Sequence, residues 1–295
     1  MEKRTLGKTG LQVSRLGAGL AEIGELTDAA TAAEVLNTAL DAGINYLDTA
    51  ACYGDSELWI GRTIAHRRDE YVLGSKAGHV VGEATGEEWT VETIQESIER
   101  SLVRMCTGYL DLVQLHSCGI EILERGEAIQ ALQDARRAGK TRYIGYSGNG
   151  KAALWAIDSG LFDTLQTTYN LVDQWGRFDV LPRAAAAGMG VIAKRPIANA
   201  AWIARPPYDA TREYYARQIE SVLEMGPLAG APADRIALAL GFVLAHEAID
   251  TAIVGTGSPA HMRANLAVVE KMLPLPTGLV EELYRRFEQL QGVQF

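Results

Sequence analysis

Four polar side chains stand at or just beyond the ends of apolar runs in the first half of the chain: Asp48, Tyr53, Lys76 and His116. A tyrosine hydroxyl has an ordinary pKa near 10, so it exchanges protons readily at neutral pH only when a neighbour stabilises its anion. The ammonium group of Lys76 can lower the pKa of Tyr53, by roughly two to three units, and Asp48 can hold that ammonium in place. His116 can orient a substrate oxygen beside the phenol. The four residues therefore predict acid–base chemistry on a carbonyl or hydroxyl group.

Each of these residues has an ordinary structural explanation when it is taken alone. An aspartate at a strand end commonly caps a turn, a tyrosine before glycine commonly packs, and a lysine or histidine is commonly a rim charge or a buried ring. An apolar strand seldom ends in a charge, however, unless another group pairs with it. The four together therefore favour a catalytic site. Asp48 and His116 supply only two possible metal ligands, so we expect no metal site.

Eight short apolar runs predict the strands that position these side chains: Arg15–Leu20, Asn45–Thr49, Tyr71–Lys76, Asp111–His116, Tyr143–Ser147, Thr164–Thr168, Gly190–Arg195 and Thr251–Gly255. Helical patterns lie between them: Ala30–Ala42, Thr90–Met105, Glu121–Ala138, Lys151–Ser159, Phe178–Ala187, Asp234–Ala245 and Pro259–Met272. Such alternation implies parallel pairing. Eight units favour a closed (β/α)8 TIM barrel over an open sheet, which would show a GxGxxG motif after its first strand. In a barrel the four polar residues meet at the carboxyl ends of the strands.

Two further segments are expected to close the ends of the barrel. Gly7-Lys-Thr-Gly10 lacks the preceding glycine and the following serine or threonine of a phosphate-binding loop. It predicts instead the turn of a β-hairpin, formed by Arg4–Leu6 and Leu11–Ser14, at the barrel floor. The seventh connection is long enough for an insertion of a loop and more than one helix, and its Asn199–Tyr208 stretch is expected to pass over the top. No repeat or linker divides the chain, so residues 1–295 are interpreted as one domain.

The charge balance narrows the classes of partner. The chain has 28 basic and 37 acidic residues, a formal net charge of -9, which is the wrong sign for an extended nucleic-acid or anionic-membrane surface. It has neither a membrane-length apolar run nor a secretion signal, which predicts a cytoplasmic protein. Three cysteines, Cys52, Cys106 and Cys118, form neither a disulfide framework nor a zinc motif. We expect a small-molecule carbonyl or sugar as the partner, and the sequence does not predict an oligomeric state.

Several longer motifs carry a family resemblance: Asn45-Tyr-Leu-Asp-Thr-Ala-x-x-Tyr-Gly54, Gly74-Ser-Lys76, Asp111-Leu-Val-Gln-Leu-His116, Tyr143-Ile-Gly-Tyr-Ser147 and the asparagine at the end of Gly255-Thr-Gly-Ser-Pro-Ala-His-Met-Arg-Ala-Asn265. Over nearly its whole length the sequence resembles the aldo-keto reductase superfamily. The resemblance implies a (β/α)8 barrel that binds NAD(P)H across its carboxyl-terminal face and passes hydride to a carbonyl. The family's catalytic tetrad falls on Asp48, Tyr53, Lys76 and His116, with Tyr53 as the proton donor.

The resemblance also implies residues that hold the nicotinamide half of the cofactor. Ser147 and Gln166 match the residues that bind its carboxamide. The family's third contact is an asparagine, which is displaced by one position here and becomes Asn149. Lys194 stands where the family often has an aromatic ring beneath the nicotinamide. Lys194 and Arg195 are expected to reach the pyrophosphate instead.

Five residues near the last strand are implied to bind the adenosine half: Thr256, Gly257, Ser258, His261 and Asn265. The first three precede a predicted helix, whose terminal amides suit a phosphate. The family usually has arginine where this chain has His261, and some branches have lysine in place of Gly255. Arg263 lies about 200° around the helix from His261 and is expected to face away. Because a 2′-phosphate needs Arg or Lys partners, only a slight preference for NADP(H) over NAD(H) is predicted, within about tenfold.

The substrate pocket is expected to include Leu20, Ala21, Tyr53, Trp89 and Trp202, although either tryptophan can instead pack on the barrel exterior. The leading hypothesis is an NAD(P)-dependent oxidoreductase that acts on aldehydes, ketones or sugars. The alternative is a dinucleotide-binding module that senses redox state or regulates a partner with little turnover. A metal-dependent hydrolase ranks third because its ligands are missing.

Overall fold

A two-stranded antiparallel hairpin lies beneath the barrel, formed by β1 (Lys3–Thr5) and β2 (Gln12–Ser14). A 3-10 turn at Gly7–Thr9 joins the two strands. Leu6 and Val13 are fully buried in a cluster with apolar side chains from the barrel interior. The predicted hairpin is therefore confirmed to within one or two residues at its ends, and it seals the floor of the barrel.

The computed structural model describes residues 1–25, 27–82, 86–203, 209–271 and 273–293. Eight parallel strands form a closed barrel: β3 (Leu16–Gly19), β4 (Tyr46–Asp48), β5 (Val72–Ala77), β6 (Leu110–His116), β7 (Thr141–Ser147), β8 (Thr164–Thr168), β9 (Gly190–Lys194) and β10 (Thr251–Gly255). Each strand pairs with its neighbours in chain order, and β10 closes the ring onto β3. All eight predicted strands and the predicted (β/α)8 barrel are confirmed.

The helices surround the barrel: α1 (Ala21–Glu25), α2 (Ala29–Asp41), α3 (Ser56–Ile64), α4 (Val91–Arg104), α5 (Ile120–Arg125), α6 (Glu127–Arg137), α7 (Gly150–Asp158), α8 (Val180–Ala186), α9 (Ala210–Glu224), α10 (Arg235–Leu244), α11 (Pro259–Lys271) and α12 (Thr277–Gln291). Side-chain caps fix several of their starts, because Asp28, Thr90, Asp209 and Asp234 each accept a hydrogen bond from an amide in the first turn. The single helix predicted over Glu121–Ala138 is wrong, since Gly126, with φ 78°, separates α5 from α6.

The connection between β9 and β10 contains the predicted excursion and two helices, α9 and α10. Its first residues, Arg195 and Ala198 to Ala200, adopt positive φ angles of 47° to 55°, a backbone conformation that side-chain-bearing residues seldom take. Residues 204–208, which include the predicted Arg205 and Tyr208, lie outside the described part of the chain. Among the described residues, no helix has the length and apolar character needed to cross a membrane.

The strand register brings the functional candidates to one level of the barrel. Asp48 pairs with Gly19 and Gly74 in the neighbouring strands. Further around the ring, His116 pairs with Ser147, and Ser147 pairs with Gln166. Because parallel strands share their carboxyl ends, these polar side chains surround the same opening.

Candidate active site

A buried ion pair joins the ends of β4 and β5. The side chains of Lys76 and Asp48 are 1% and 2% exposed. The ammonium group of Lys76 donates to Oδ1 of Asp48 and to the carbonyl oxygen of Thr49, the latter at 2.9 Å. Burial lowers the pKa of Lys76, but Asp48 and Tyr53 outweigh that effect, so its pKa lies above the ordinary value. The lysine therefore remains positively charged at neutral pH.

Other donors hold the second carboxylate oxygen of Asp48. Gln166 donates to Oδ2 at 2.7 Å, while Gln114 and the hydroxyl of Tyr46 each lie 3.5 Å away. Burial and the adjacent carboxylate raise the pKa of Tyr46 well above its usual range, so this phenol stays protonated as a donor. The sequence analysis does not include Gln114 or Tyr46. Tyr46 lies two residues before Asp48 on the same face of β4, and Gln114 reaches the carboxylate from β6.

Tyr53 lies in the turn between β4 and α3, partly buried, with its ring centroid 4.9 Å from Nζ of Lys76. Burial raises the pKa of Tyr53, Lys76 lowers it and Asp48 raises it, and the net shift is upward. The predicted net lowering of this pKa is therefore wrong. Lys76 acts in the expected direction, but removing the phenolate from water has the larger effect.

His116 ends β6 and faces Tyr53, with ring centroids 5.7 Å apart and the rings nearly perpendicular. Burial, together with Lys76, His79 and Lys194, lowers the pKa of His116 to about 2. The imidazole is therefore neutral at physiological pH. His79 contacts it edge-to-face at 5.0 Å, and Sγ of Cys52 lies 3.4 Å from its Nδ1. Neither His79 nor Cys52 is among the predicted site residues.

A cavity of about 500 Å³ opens at the carboxyl ends of the strands. Nine of the predicted residues line it: Leu20, Ala21, Asp48, Tyr53, His116, Ser147, Gln166, Lys194 and Arg195. Lys76 lies directly behind Tyr53. The structure therefore brings the tetrad, two substrate-pocket candidates and four cofactor candidates to one opening.

The two tryptophans predicted for the pocket lie elsewhere. Trp89 stacks edge-to-face on His79 at 4.8 Å and so stands one ring away from His116. Trp202 lines a separate small apolar cavity with Ile219 and Val222. Packing away from the central cavity, the alternative that the sequence left open, therefore describes Trp202, which lies beside α9.

Hydrogen bonds connect the cofactor candidates to the tetrad. The ammonium group of Lys194 donates to Oγ of Ser147 at 3.2 Å, and this hydroxyl donates to Oε1 of Gln166 at 3.1 Å. Gln166 in turn donates to Asp48. Burial, together with the cations Arg195 and Lys76, lowers the pKa of Lys194 to about 7.

Asn149 does not join this cavity. Its Oδ1 accepts hydrogen bonds from the hydroxyl of Thr167 at 3.0 Å and from the amide of Thr168 at 2.9 Å. It lines a different cavity, beside α7, together with Trp175 and Phe178. Asn149 therefore lies away from the central cavity, and its cofactor contact stays a prediction.

The loop after β10 caps a helix. Thr256 accepts from the amide of Ser258 at 3.1 Å, and Oγ of Ser258 accepts from the amide of His261 at 3.3 Å. Gly257 lies between them, His261 is exposed, and Asn265 is buried on α11. These residues stand apart from the central cavity.

Two neighbours change the charge around this loop. Arg263 points towards α2, with its guanidinium 3.4 Å from Glu34, in agreement with the expectation that it faces away. The carboxylate of Glu22 lies against Gly255, where an added Cβ atom would meet it at 1.9 Å. An acidic group therefore occupies the space beside Gly255.

A closed barrel that gathers a tyrosine, a histidine and a buried lysine–aspartate pair at the carboxyl ends of its strands is the architecture of a barrel enzyme. The family model described as "Aldo/keto reductase family" matches residues 15–283. The chain belongs to this family, and its class is that of the oxidoreductases.

Similar proteins cover nearly the whole chain. L-Galactose dehydrogenase of Arabidopsis thaliana is 28% identical over 309 residues, which cover 98% of this chain and 94% of that protein. Pyridoxal 4-dehydrogenase of Microbacterium luteolum is 26% identical, covering 92% of this chain and 94% of that protein. The structure is similar to the holo form of aldo-keto reductase AKR11C1 from Bacillus halodurans, with a TM-score of 0.82, 27% identity and coverage of 97% and 96%.

Proposed function

We propose that this protein is an NAD(P)-dependent oxidoreductase that interconverts a small carbonyl compound and its alcohol, with Tyr53 as the general acid and base. The observation that carries the proposal is the placement of the Lys76 ammonium, paired with Asp48, 4.9 Å from the Tyr53 ring at the wall of the 500 Å³ cavity. Ionisable groups that are buried and paired beside a cavity are typical of functional sites. Residues 1–295 act in this proposal as one catalytic domain.

The proton chemistry follows from the charges around Tyr53. In reduction the phenol donates its proton to the carbonyl oxygen of the substrate, and in oxidation the phenolate accepts the proton of the alcohol. Two opposite charges about 4 Å apart attract by about 4 kcal/mol at an effective dielectric constant near 20. The Lys76 ammonium therefore stabilises the phenolate, and Asp48 keeps the ammonium charged. Neutral His116 contributes an N–H that can orient the same substrate oxygen.

The donor set fits a dinucleotide. Ser147 and Gln166 offer a hydroxyl and an amide to a carboxamide, and Lys194 and Arg195 offer positive charge to a pyrophosphate. The amides at the start of α11 suit a further phosphate. When bound, the nicotinamide supplies or accepts the hydride. A bound carboxamide would replace Lys194 as the hydrogen-bond partner of the Ser147 hydroxyl. The ammonium group of Lys194 would then be free to meet an anionic group.

The preference for NADP(H) over NAD(H) that we propose is weaker than the one that the sequence alone predicts. Glu22 presents a carboxylate at Gly255, and Arg263 is paired with Glu34. A 2′-phosphate needs cations at close range, and carboxylates repel it. Because of these contacts, we expect NAD(H) to bind at least as tightly as NADP(H).

The substrate proposed is a small hydroxylated aldehyde, ketone or sugar. The cavity wall near Tyr53 combines apolar Leu20 and Ala21 with the polar ring of His116. The names of two similar proteins, a galactose dehydrogenase and a pyridoxal dehydrogenase, support a polar, ring-sized substrate. A cavity of this volume accommodates such a molecule together with a nicotinamide ring.

The test is to measure binding and turnover with the same preparation. Intrinsic fluorescence is titrated with NADH and NADPH, and reduction of 4-nitrobenzaldehyde and oxidation of L-galactose are followed at 340 nm. Turnover of either substrate supports the enzyme. Tight dinucleotide binding with no turnover of any aldehyde or sugar would support the redox-sensing module instead, and absence of binding would contradict both.

A further inference from the structure

Cys52 makes a contact that the proposed mechanism does not use. It immediately precedes Tyr53 in the turn after β4, and its Sγ lies 3.4 Å from Nδ1 of His116. Burial raises the pKa of the Cys52 thiol, although Lys76 acts in the opposite direction. The sulfur therefore keeps its proton at neutral pH and can donate an S–H hydrogen bond to an acceptor nitrogen.

A neutral imidazole carries a single proton, on one of its two nitrogens. The surroundings of His116 keep it neutral, since burial disfavours its protonation and Lys76 and Lys194 act in the same direction. Tyr53 and His79 meet the ring through edge-to-face contacts. Among the described residues, the Cys52 thiol is the hydrogen-bonding partner that the structure gives this ring. Which of the two nitrogens carries the proton therefore depends on whether the thiol donates or accepts a hydrogen bond at Nδ1.

We propose that Cys52 is a positioning residue that holds His116 in the tautomer with its proton on Nε2. The thiol donates to Nδ1, which makes that nitrogen an acceptor and leaves the proton on the nitrogen at the other side of the ring. Nε2–H then donates to the substrate oxygen beside the Tyr53 hydroxyl. The effect on catalysis rests on the proposed function, whereas the effect on the tautomer does not.

The direct test is the tautomeric state of His116 in the folded protein. Histidine labelled with 15N reports which ring nitrogen carries the proton, and His116→Gln assigns the signal among the five histidines. We expect the Nε2–H form in the parent, a mixture of both forms in Cys52→Ala, and the parent form again in Cys52→Ser, whose hydroxyl is also a donor. An Nδ1–H form in the parent, or an unchanged signal in Cys52→Ala, would overturn the proposal.

Kinetics supply the second readout. With a slow substrate for which chemistry limits the rate, Cys52→Ala should lower kcat about tenfold, the factor expected for one lost hydrogen bond, with the cofactor KM unchanged. Cys52→Ser should recover to within about threefold of the parent. Cys106→Ala is the matched control, because that thiol is exposed on the barrel exterior. Equal losses in Cys52→Ala and Cys52→Ser would contradict the proposal, as would parental activity in Cys52→Ala.

If the parent shows no turnover, the proposed function fails but the tautomer measurement still decides the role of Cys52. If turnover is present and the tautomer does not respond to Cys52, the positioning role fails alone. The two failures are therefore distinguishable.

Discussion

Two lysines at the carboxyl ends of the barrel strands behave in opposite ways. Lys76 is the more deeply buried, yet its pKa is raised, because Asp48 contacts its ammonium directly. Lys194 has the hydroxyl of Ser147 as its hydrogen-bond acceptor and the cations Arg195 and Lys76 nearby, and its pKa falls to about 7. Burial alone does not set the charge of a lysine. The partner within hydrogen-bonding distance decides it.

This difference divides the cavity into two halves with separate tasks. The half formed by β4, β5 and β6 holds an internally neutralised cation beside Tyr53, which suits a proton transfer repeated in each turnover. In the half formed by β7, β8 and β9, the positive charges are those of Lys194 and Arg195. Among the described residues no carboxylate contacts them directly, which suits an anionic ligand. The following variants test that division.

The largest effect is expected for Tyr53→Phe. Loss of a positioned general acid typically costs about 10² to 10⁴ in rate, so kcat for a chemistry-limited substrate should fall by that factor. The Kd for the dinucleotide should stay within about threefold, since the phenol acts on the substrate oxygen. Single-turnover kinetics and fluorescence titration measure the two quantities. If the variant keeps more than a tenth of the parental rate, Tyr53 is not the general acid.

Lys76→Met should produce the next largest loss, together with a change in pH dependence. Lys76 lowers the pKa of Tyr53, so its removal raises that pKa further and moves the alkaline limb of the rate profile upward. Oxidation at neutral pH should suffer more than reduction, because it requires the phenolate. An unchanged profile with a raised KM would instead make Lys76 a substrate-binding charge.

The same substitution leaves Asp48 buried without its cation, which typically costs about 3 to 5 kcal/mol of unfolding free energy. The double variant Lys76→Met with Asp48→Asn removes that unpaired charge. It should regain stability in urea unfolding and yet remain inactive, which separates the structural effect from the chemical one.

Lys194→Met tests the other half of the cavity and should have a moderate effect. In the free protein Lys194 loses its charge as the pH rises through about 7, and an anionic ligand favours the charged form. Dinucleotide binding should therefore take up protons and weaken by up to about tenfold between pH 6 and pH 8. Calorimetry in two buffers of different ionisation enthalpy counts the protons. Lys151→Met, on the exposed surface of α7, is the control variant. It should keep the pH dependence of dinucleotide binding, whereas Lys194→Met should lose it.

The smallest effect is expected for Trp202→Phe. Trp202 packs beside α9, away from the central cavity, so kcat and the substrate KM should remain within about twofold of the parent. Leu20→Ala, at the cavity wall, is the contrasting variant and should change the substrate KM. A larger change in the substrate KM for Trp202→Phe than for Leu20→Ala would show that Trp202 contributes to the substrate pocket.

The barrel strands are predictable from sequence because strands buried on both faces read as short continuous apolar runs. The tetrad follows from them, since Asp48, Lys76 and His116 each stand at the end of such a run. The hairpin is predictable from its glycine turn. Helix α3 and helix α12 are not among the predicted segments, and the break at Gly126 is hidden inside a continuous amphipathic pattern.

The remaining features depend on distances that no linear pattern contains. The contact between Cys52 and His116 joins residues 64 positions apart. The direction of the Tyr53 pKa shift depends on how much water the fold removes from the phenol. Asn149 matches a family residue almost in position, but a displacement of one residue sends its side chain to another cavity. Motifs locate the chemistry, and tertiary packing decides its electrostatics.

The floor of the barrel has a consequence for the order of assembly. Gly7 in the hairpin lies so close to Gly190 at the start of β9 that a Cβ atom at Gly7 would meet the Gly190 nitrogen at 2.2 Å. The ribosome makes the hairpin about 180 residues before its docking partner, which takes roughly ten to forty seconds at 5 to 20 residues per second. Throughout that interval Leu6 and Val13 have no barrel to enter. The hairpin is thus synthesised well before the strands that bury it, and the nascent chain carries an uncovered apolar surface throughout that interval.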